Sequence, residues 1–225
     1  MDRGAFLLPL IFDYGATFLW GVSGALLAAR SGFDIVGVLL VALISSTGGG
    51  LLRDGIFLQQ GPPVVVRTPA YLAIVVVAAA TVVLFGRRVQ SFRTFTYAVG
   101  LVDALGLGAY AVVGMDRAAA AGLSLPGIVL VGMVNAVGGS VLRDVVMRRE
   151  PRILKPGTLE AVAALVGCAL YLLLTRYGGV PRTHAAWGTI LLVFAVRAVA
   201  VRYRISTRPL REFEEYWKPA ERAGG

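Results

Sequence analysis

Seven apolar runs separated by short breaks leave this chain few ways to fold. The runs cover roughly residues 4–29, 35–57, 69–86, 95–115, 125–147, 159–177 and 185–201. Each approaches the ~20 residues that an α-helix needs to cross a bilayer; the third and seventh are short. Lipid offers no partner to an unpaired backbone amide, so a single spanning segment satisfies itself only as a helix. Hydrophobic residues make up 57% of the 225 and charged residues 16%, against roughly 25% charged in a soluble domain. Such a chain cannot cover a core with a polar shell. The expectation is an all-α polytopic membrane protein with seven transmembrane helices.

The breaks support this reading. Arg30-Ser31-Gly32, Gly61-Pro62-Pro63 and Gly86-Arg87-Arg88 carry the residues that end helices. Residues 148–156 and 177–181 do the same. The net charge of +9 reflects arginines gathered in these breaks, where they set orientation. With the N-terminus outside, 14 Lys and Arg fall on the cytoplasmic side and 5 outside, while Arg53, Arg143 and Arg197 lie within spans. The bias predicts N-out, C-in. No basic stripe interleaves with aromatics, which argues against nucleic acid as a partner. Met1-Asp2-Arg3 carries no net side-chain charge, and Asp13 soon follows the short apolar run 6–12. Retention of the N-terminus is expected.

Several chemistries find no support. Cys168 is the single cysteine and cannot pair within the chain. His184 is the single histidine and cannot build a metal site alone. The run 106–111 imitates a dinucleotide fingerprint but sits in an apolar span with no preceding strand. No nucleophile has a base beside it, so neither enzymatic activity nor a cofactor is expected.

The chain repeats itself at an offset of 90. From 13 to 54 the match to 103–144 needs no gap, and 14 of 42 positions are identical. After a three-residue deletion, Thr68-Pro69 aligns with Lys155-Pro156. The shared core is Gly-Gly-[Gly/Ser]-x-Leu-Arg-Asp, at 48–54 and again at 138–144. Each copy holds three spans, and an odd number reverses the second. Two inverted three-helix repeats are therefore expected over 5–86 and 95–177, with a seventh helix over 185–203 and a cytoplasmic tail over 206–225. Such architecture is common in transporters.

Charges within spans are costly and usually line a wet path or pair with one another. Asp13, Arg53 and Asp54 have repeat counterparts in Asp103, Arg143 and Asp144. Depth and symmetry suggest Asp13 with Arg53 and Asp103 with Arg143, leaving Asp54 and Asp144 to face a path. Static pairs that fix helix register are the alternative. Four Asp against two Arg make the interior net negative by two, which favours a cation over an anion. Arg197, near the end of the last span, is expected to snorkel.

Gly48, Gly49 and Gly50 should weaken their helix by about 1 kcal/mol each relative to Ala, and a bend there would free backbone groups. Ser45, Ser46 and Thr47 precede them; Asn135 precedes Gly138 and Gly139. Hydroxyls, an amide and carbonyls can replace part of a cation's hydration shell. Close helix packing through small residues is the alternative.

The doubled glycine–arginine–aspartate motif resembles the prokaryotic trimeric intracellular cation (TRIC) channel family. Many of its bacterial relatives carry the label of a glycine transporter domain. The resemblance covers about residues 5–203. It implies an inner-membrane homotrimer with one pore per subunit, passing K⁺ and also Na⁺ among membrane lipids. It further implies that the second and fifth spans kink at their glycines and line the pore. Gly48, Gly49, Gly50, Arg53 and Asp54 would then lie on one pore helix, and Gly138, Gly139, Arg143 and Asp144 on the other. Animal members bind a phosphoinositide through a basic motif; Met133-Val134-Asn135 stands here instead. A secondary transporter of a small zwitterion such as glycine would also suit the repeat. A membrane scaffold without transport is the third reading.

Overall fold

The structure is a computed structural model that describes residues 7–90, 95–154, 159–203 and 205. The tail expected over 206–225 lies outside the described residues. Every regular element among them is helical.

The helices are α1 (Leu7–Arg30), α2 (Ile35–Leu52), α3 (Val64–Arg67, a single turn), α4 (Pro69–Gln90), α5 (Phe95–Ala120), α6 (Leu125–Val146), α7 (Glu160–Leu172) and α8 (Arg182–Tyr203). A π-helical stretch, Arg53–Leu58, extends α2, and another, Leu173–Tyr177, extends α7. Among the described residues, four segments are long and apolar enough to span a membrane: Ile35–Leu58, Leu125–Val146, Glu160–Tyr177 and Arg182–Tyr203. Pro69–Phe85 is a shorter apolar helix.

Helix ends follow from local sequence, and they follow it twice. Gly32 (φ 79°) ends α1 and Gly122 (φ 76°) ends α5 in the left-handed conformation that glycine adopts without strain. At each end the next residue's N–H reaches back to a carbonyl of the last turn, Phe33 to Ala28 and Leu123 to Ala118. The Asp34 carboxylate then caps α2, accepting from the Gly37 N–H at 2.7 Å.

Helices α1, α2, α5 and α6 form the centre, packed in the cycle α1–α2, α2–α6, α6–α5 and α5–α1. Helix α4 lies on α1 and α2, and α7 lies on α5 and α6 in the same manner. Helix α8 packs on α5 and α7 and has no counterpart in the first repeat.

The symmetry can be read from reciprocal contacts. A Cβ on Gly49 would collide with the Asn135 carbonyl oxygen, and one on Gly139 with the Ser45 carbonyl oxygen. A Cβ on Gly48 would come within 2.9 Å of Leu142 Cδ1; one on Gly138 would come within 2.8 Å of Leu52 Cδ1. In each pair the second contact is the first with the repeats exchanged. As numbers rise on α2 their partners' numbers fall on α6, so the helices cross antiparallel. A two-fold that exchanges antiparallel helices lies perpendicular to them, in the plane of the membrane. Trp20 and Tyr110, equivalent at the 90 offset, stack edge-to-face with ring centroids 5.3 Å apart. Equivalent residues that touch must sit beside the axis.

The glycines are the reason the helices can approach. Neither set interrupts its helix: α2 stays α-helical through Gly50, and regularity is lost from Arg53 onward. Where a bend was expected, the structure has a backbone-to-backbone crossing. Gly50 faces a looser space, its nearest potential neighbour being Arg53 Nη2 at 3.7 Å. Gly49→Ala and Gly139→Ala should therefore each destabilise by about 1–3 kcal/mol through overpacking. Gly50→Ala should leave thermal stability in detergent unchanged, and equal losses at all three positions would remove the distinction.

Candidate permeation pathway

Two small chambers flank the glycine crossing, and the repeat relates them. The first, of about 20 Å³, is bordered by Asp13, Thr17, Gly50, Arg53 and Tyr110. The second, of about 10 Å³, is bordered by Asp103, Leu107, Ser140, Arg143 and Trp20. Each residue of the second series is the counterpart of one in the first. Each chamber has room for about one water. Beyond each lies a wider vestibule, of about 340 Å³ at the Asp54 end and about 220 Å³ at the Asp144 end. All four spaces are bordered by α1 and α5; α2 borders the first chamber and α6 the second, and the glycine crossing of those two helices lies between them.

The buried charges pair differently from the expectation. Arg53 Nε donates to Asp54 Oδ1 at 2.6 Å, and Arg143 Nε to Asp144 Oδ1 at 3.1 Å. Asp54 also accepts from the Val64 N–H at 3.0 Å, and Asp144 from the Arg152 N–H at 3.2 Å. Asp54 and Asp144 are therefore anchors within their own repeats, where they were expected to be the less constrained pair. The start of the π-helical stretch at Arg53, and the nearby end of α6 beyond Arg143, allow adjacent side chains to meet. In mid-helix they would diverge.

Asp13 pairs instead with the Tyr71 hydroxyl, which donates to it, and with Arg117 at 3.6 Å. Asp103 pairs with Arg152 at 3.0 Å. Arg197 does not snorkel: it is buried and donates to Glu160 at 3.0 Å. Glu160, Arg117, Arg152 and Arg197 therefore join the six motif charges. Five carboxylates then stand among five arginines, and the net negative interior expected from the sequence disappears.

The remaining candidates divide by role. Ser46 and Thr47 border the first chamber, but their hydroxyls donate to carbonyls of their own helix at Ala42 and Leu43, each at 2.7 Å. Ser45 is fully buried, with its Oγ unpartnered among the described residues. Gly48, Gly49, Gly138 and Gly139 form the crossing between the chambers. Asn135 ties three helices: its amide donates to the Tyr110 carbonyl at 2.7 Å, and its Oδ1 accepts from Arg53 at 3.2 Å. Residues beyond the motifs complete the first chamber. Thr17 and Tyr110 share a hydrogen bond of 2.9 Å, and the Tyr110 hydroxyl donates to the Ser46 carbonyl. The 90 offset that aligns Tyr110 with Trp20 was the signal for this pair of aromatics.

A family model described as "Glycine transporter" matches residues 10–87 and again 100–176. The chain belongs to this family. The two matches begin 90 residues apart, in step with the internal repeat. A membrane protein of Deinococcus radiodurans is 33% identical over 81% of this chain and 83% of its own. The inner membrane protein YadS of Escherichia coli K12 is 28% identical over 88% of this chain and 94% of its own. The fold matches that of a TRIC channel orthologue from Rhodobacter sphaeroides at TM-score 0.80 and 29% identity, covering 87% and 97% of the two chains. It matches a second TRIC cation channel at TM-score 0.80 and 27% identity, covering 89% and 96%. The chain is thus an integral membrane protein with the TRIC fold.

The pairing makes a checkable statement. Asp54→Asn or Asp144→Asn strands a buried arginine and should cost about 3–5 kcal/mol. A lowered thermal midpoint in detergent is the expected readout; wild-type stability in both variants would place these carboxylates in water instead.

Proposed function

We propose that the protein is a channel for monovalent cations, K⁺ and also Na⁺, with one path per subunit of a homotrimer. The observation that carries this reading is the series of repeat-related chambers and vestibules bordered by α1 and α5, with α2 at one chamber and α6 at the other. The likeness to solved TRIC cation channels supplies the class of solute, since the charge balance inside the protein does not. Residues Asp13, Ser46, Thr47, Gly50, Arg53, Asp54, Asp103, Arg143 and Asp144 would border the path. The glycine crossing is the point at which α2 and α6 must bend or part for an ion to pass.

The inner membrane, the compartment named for the Escherichia coli relative, is the proposed location. The arginine bias then puts the first chamber toward the outside and the second toward the cytoplasm. The exposed apolar residues of α2, α4, α7 and α8 would face lipid or neighbouring subunits, among them Leu40, Val77, Leu165 and Leu191.

Purified protein in planar bilayers with unequal KCl should give currents that reverse near the K⁺ equilibrium potential. Saturable glycine counterflow without such currents would replace the channel with a transporter, and neither signal would leave a scaffold. Orientation is tested separately by a reporter fused after Gly225 that works only outside the cytoplasm. It should stay silent.

A further inference from the structure

Beyond the repeat symmetry, the second chamber holds an arrangement that the first does not. Asp103 borders both the second chamber and its vestibule, so it stands at the neck between them. Its residue exposure is 7%, and its Oδ1 atom meets no hydrogen-bond partner among the described residues. Glu160 Oε1 lies within 4.0 Å of the same guanidinium, that of Arg152, that holds Asp103 Oδ2 at 3.0 Å. The two carboxylate side chains are 9% and 6% exposed, while the Arg152 side chain is 39% exposed. Two inward-facing anions are thus bridged by a cation that enters from the water side.

Arg152 also differs from its opposite numbers in what carries it. Asp13 is held by Tyr71 and Arg117, which ride on the long helices α4 and α5. Arg152 rides on a three-residue 3₁₀ turn, Arg152–Leu154, in the connection between α6 and α7. The second repeat is three residues shorter here, and the aligned positions of the first are Val65 and Ala73 in place of Arg152 and Glu160. The triad of Asp103, Glu160 and Arg152 is therefore no requirement of the repeated fold.

From this geometry, and resting on the channel reading above, we propose that Asp103 and Glu160 form a monovalent-cation site at the cytoplasmic neck of the path. In this structure Arg152 fills that site as a tethered plug. The local charges support the exchange. Glu160 is paired with Arg197 as well as Arg152, whereas the cation on Asp103 is that of Arg152. With Arg152 withdrawn, one permeant ion such as K⁺ can take its place beside Asp103 and Glu160. The Arg152 backbone N–H, which holds Asp144 at 3.2 Å, can stay in place when the side chain swings out.

The test is K⁺ flux from proteoliposomes containing wild type, Arg152→Gln, Arg152→Lys and Arg152→Cys. In subunits whose glycine crossing has parted, Arg152 is the remaining barrier, so Arg152→Gln should raise flux roughly tenfold, the response of an equilibrium that has lost one closing contact. Arg152→Lys keeps the charge and should stay near wild type. Cys168 is buried, so a methanethiosulfonate reagent would address Arg152→Cys selectively. A cationic reagent should return its raised flux toward wild type, and a neutral one of similar size should not. Wild-type flux that is unchanged in Arg152→Gln, or equal effects of the two reagents, overturns the site while the channel reading stands. No flux from any of the proteins removes the channel reading and the site together.

Discussion

The contact between the α2 and α6 backbones is the constraint on which the rest of the structure depends. Gly49 meets the Asn135 carbonyl and Gly139 meets the Ser45 carbonyl, so no side chain stands between the helices at their crossing. Lipid gives helices little hydrophobic reason to associate, and close packing through small residues takes its place. The crossing also fixes the axis that relates the two halves. Once it is set, Trp20 and Tyr110 must meet, and the chambers must fall on either side. The proposed path from the chamber beside α2 to the chamber beside α6 is therefore closed by the same contact that assembles the fold.

The ionic groups form a second layer around that contact. Arg53 is buried with Asp54 beside it and Asn135 opposite, so it binds α2 to α6 as well as neutralising a carboxylate. Arg143 makes the equivalent ion pair and reaches Ser23 on α1 at 3.4 Å. Buried pairs of this kind contribute little net stability, because desolvation offsets their attraction. Breaking one is costly, however, and that makes them effective in specifying a single arrangement.

How much of this was legible can be judged residue by residue. The apolar runs gave the helices to within a few residues, because nothing but a helix satisfies backbone in lipid. The offset of 90 gave the inverted repeat, because identical motifs demand equivalent surroundings. The candidate residues were expected to line a path; all but Gly50 are buried beside the crossing, with partners other than those expected. Depth and symmetry matched Arg53 with Asp13, whereas Arg53 turns to its neighbour Asp54. The irregular turn that brings them together has no signature in the residues 53–58 themselves. Arg152 and Glu160 were invisible as a site because they lie outside the repeated motif, and only folding brings them to Asp103. Arg197 was read by its distance from a span end, when a carboxylate on α7 decided its place.

The departures from symmetry say more about function than the symmetry does. An inverted repeat alone would give two equivalent ends, and an ion would meet the same groups entering or leaving. Here the first chamber is lined by hydroxyls from Thr17, Ser46, Tyr71 and Tyr110, while the second carries Arg152, Glu160 and Arg197. Hydroxyl and carbonyl dipoles can replace water around a cation without binding it tightly. Charged side chains in a confined space act as barriers or as fixed counter-ions, according to sign and position. The two halves of the proposed path are thus suited to different tasks. Helix α8 contributes to this difference, because its Arg197 reaches Glu160 on α7. The helix outside the repeat is therefore part of what makes one end unlike the other, and a duplicated three-helix unit without it would lack the anchor that orients Glu160.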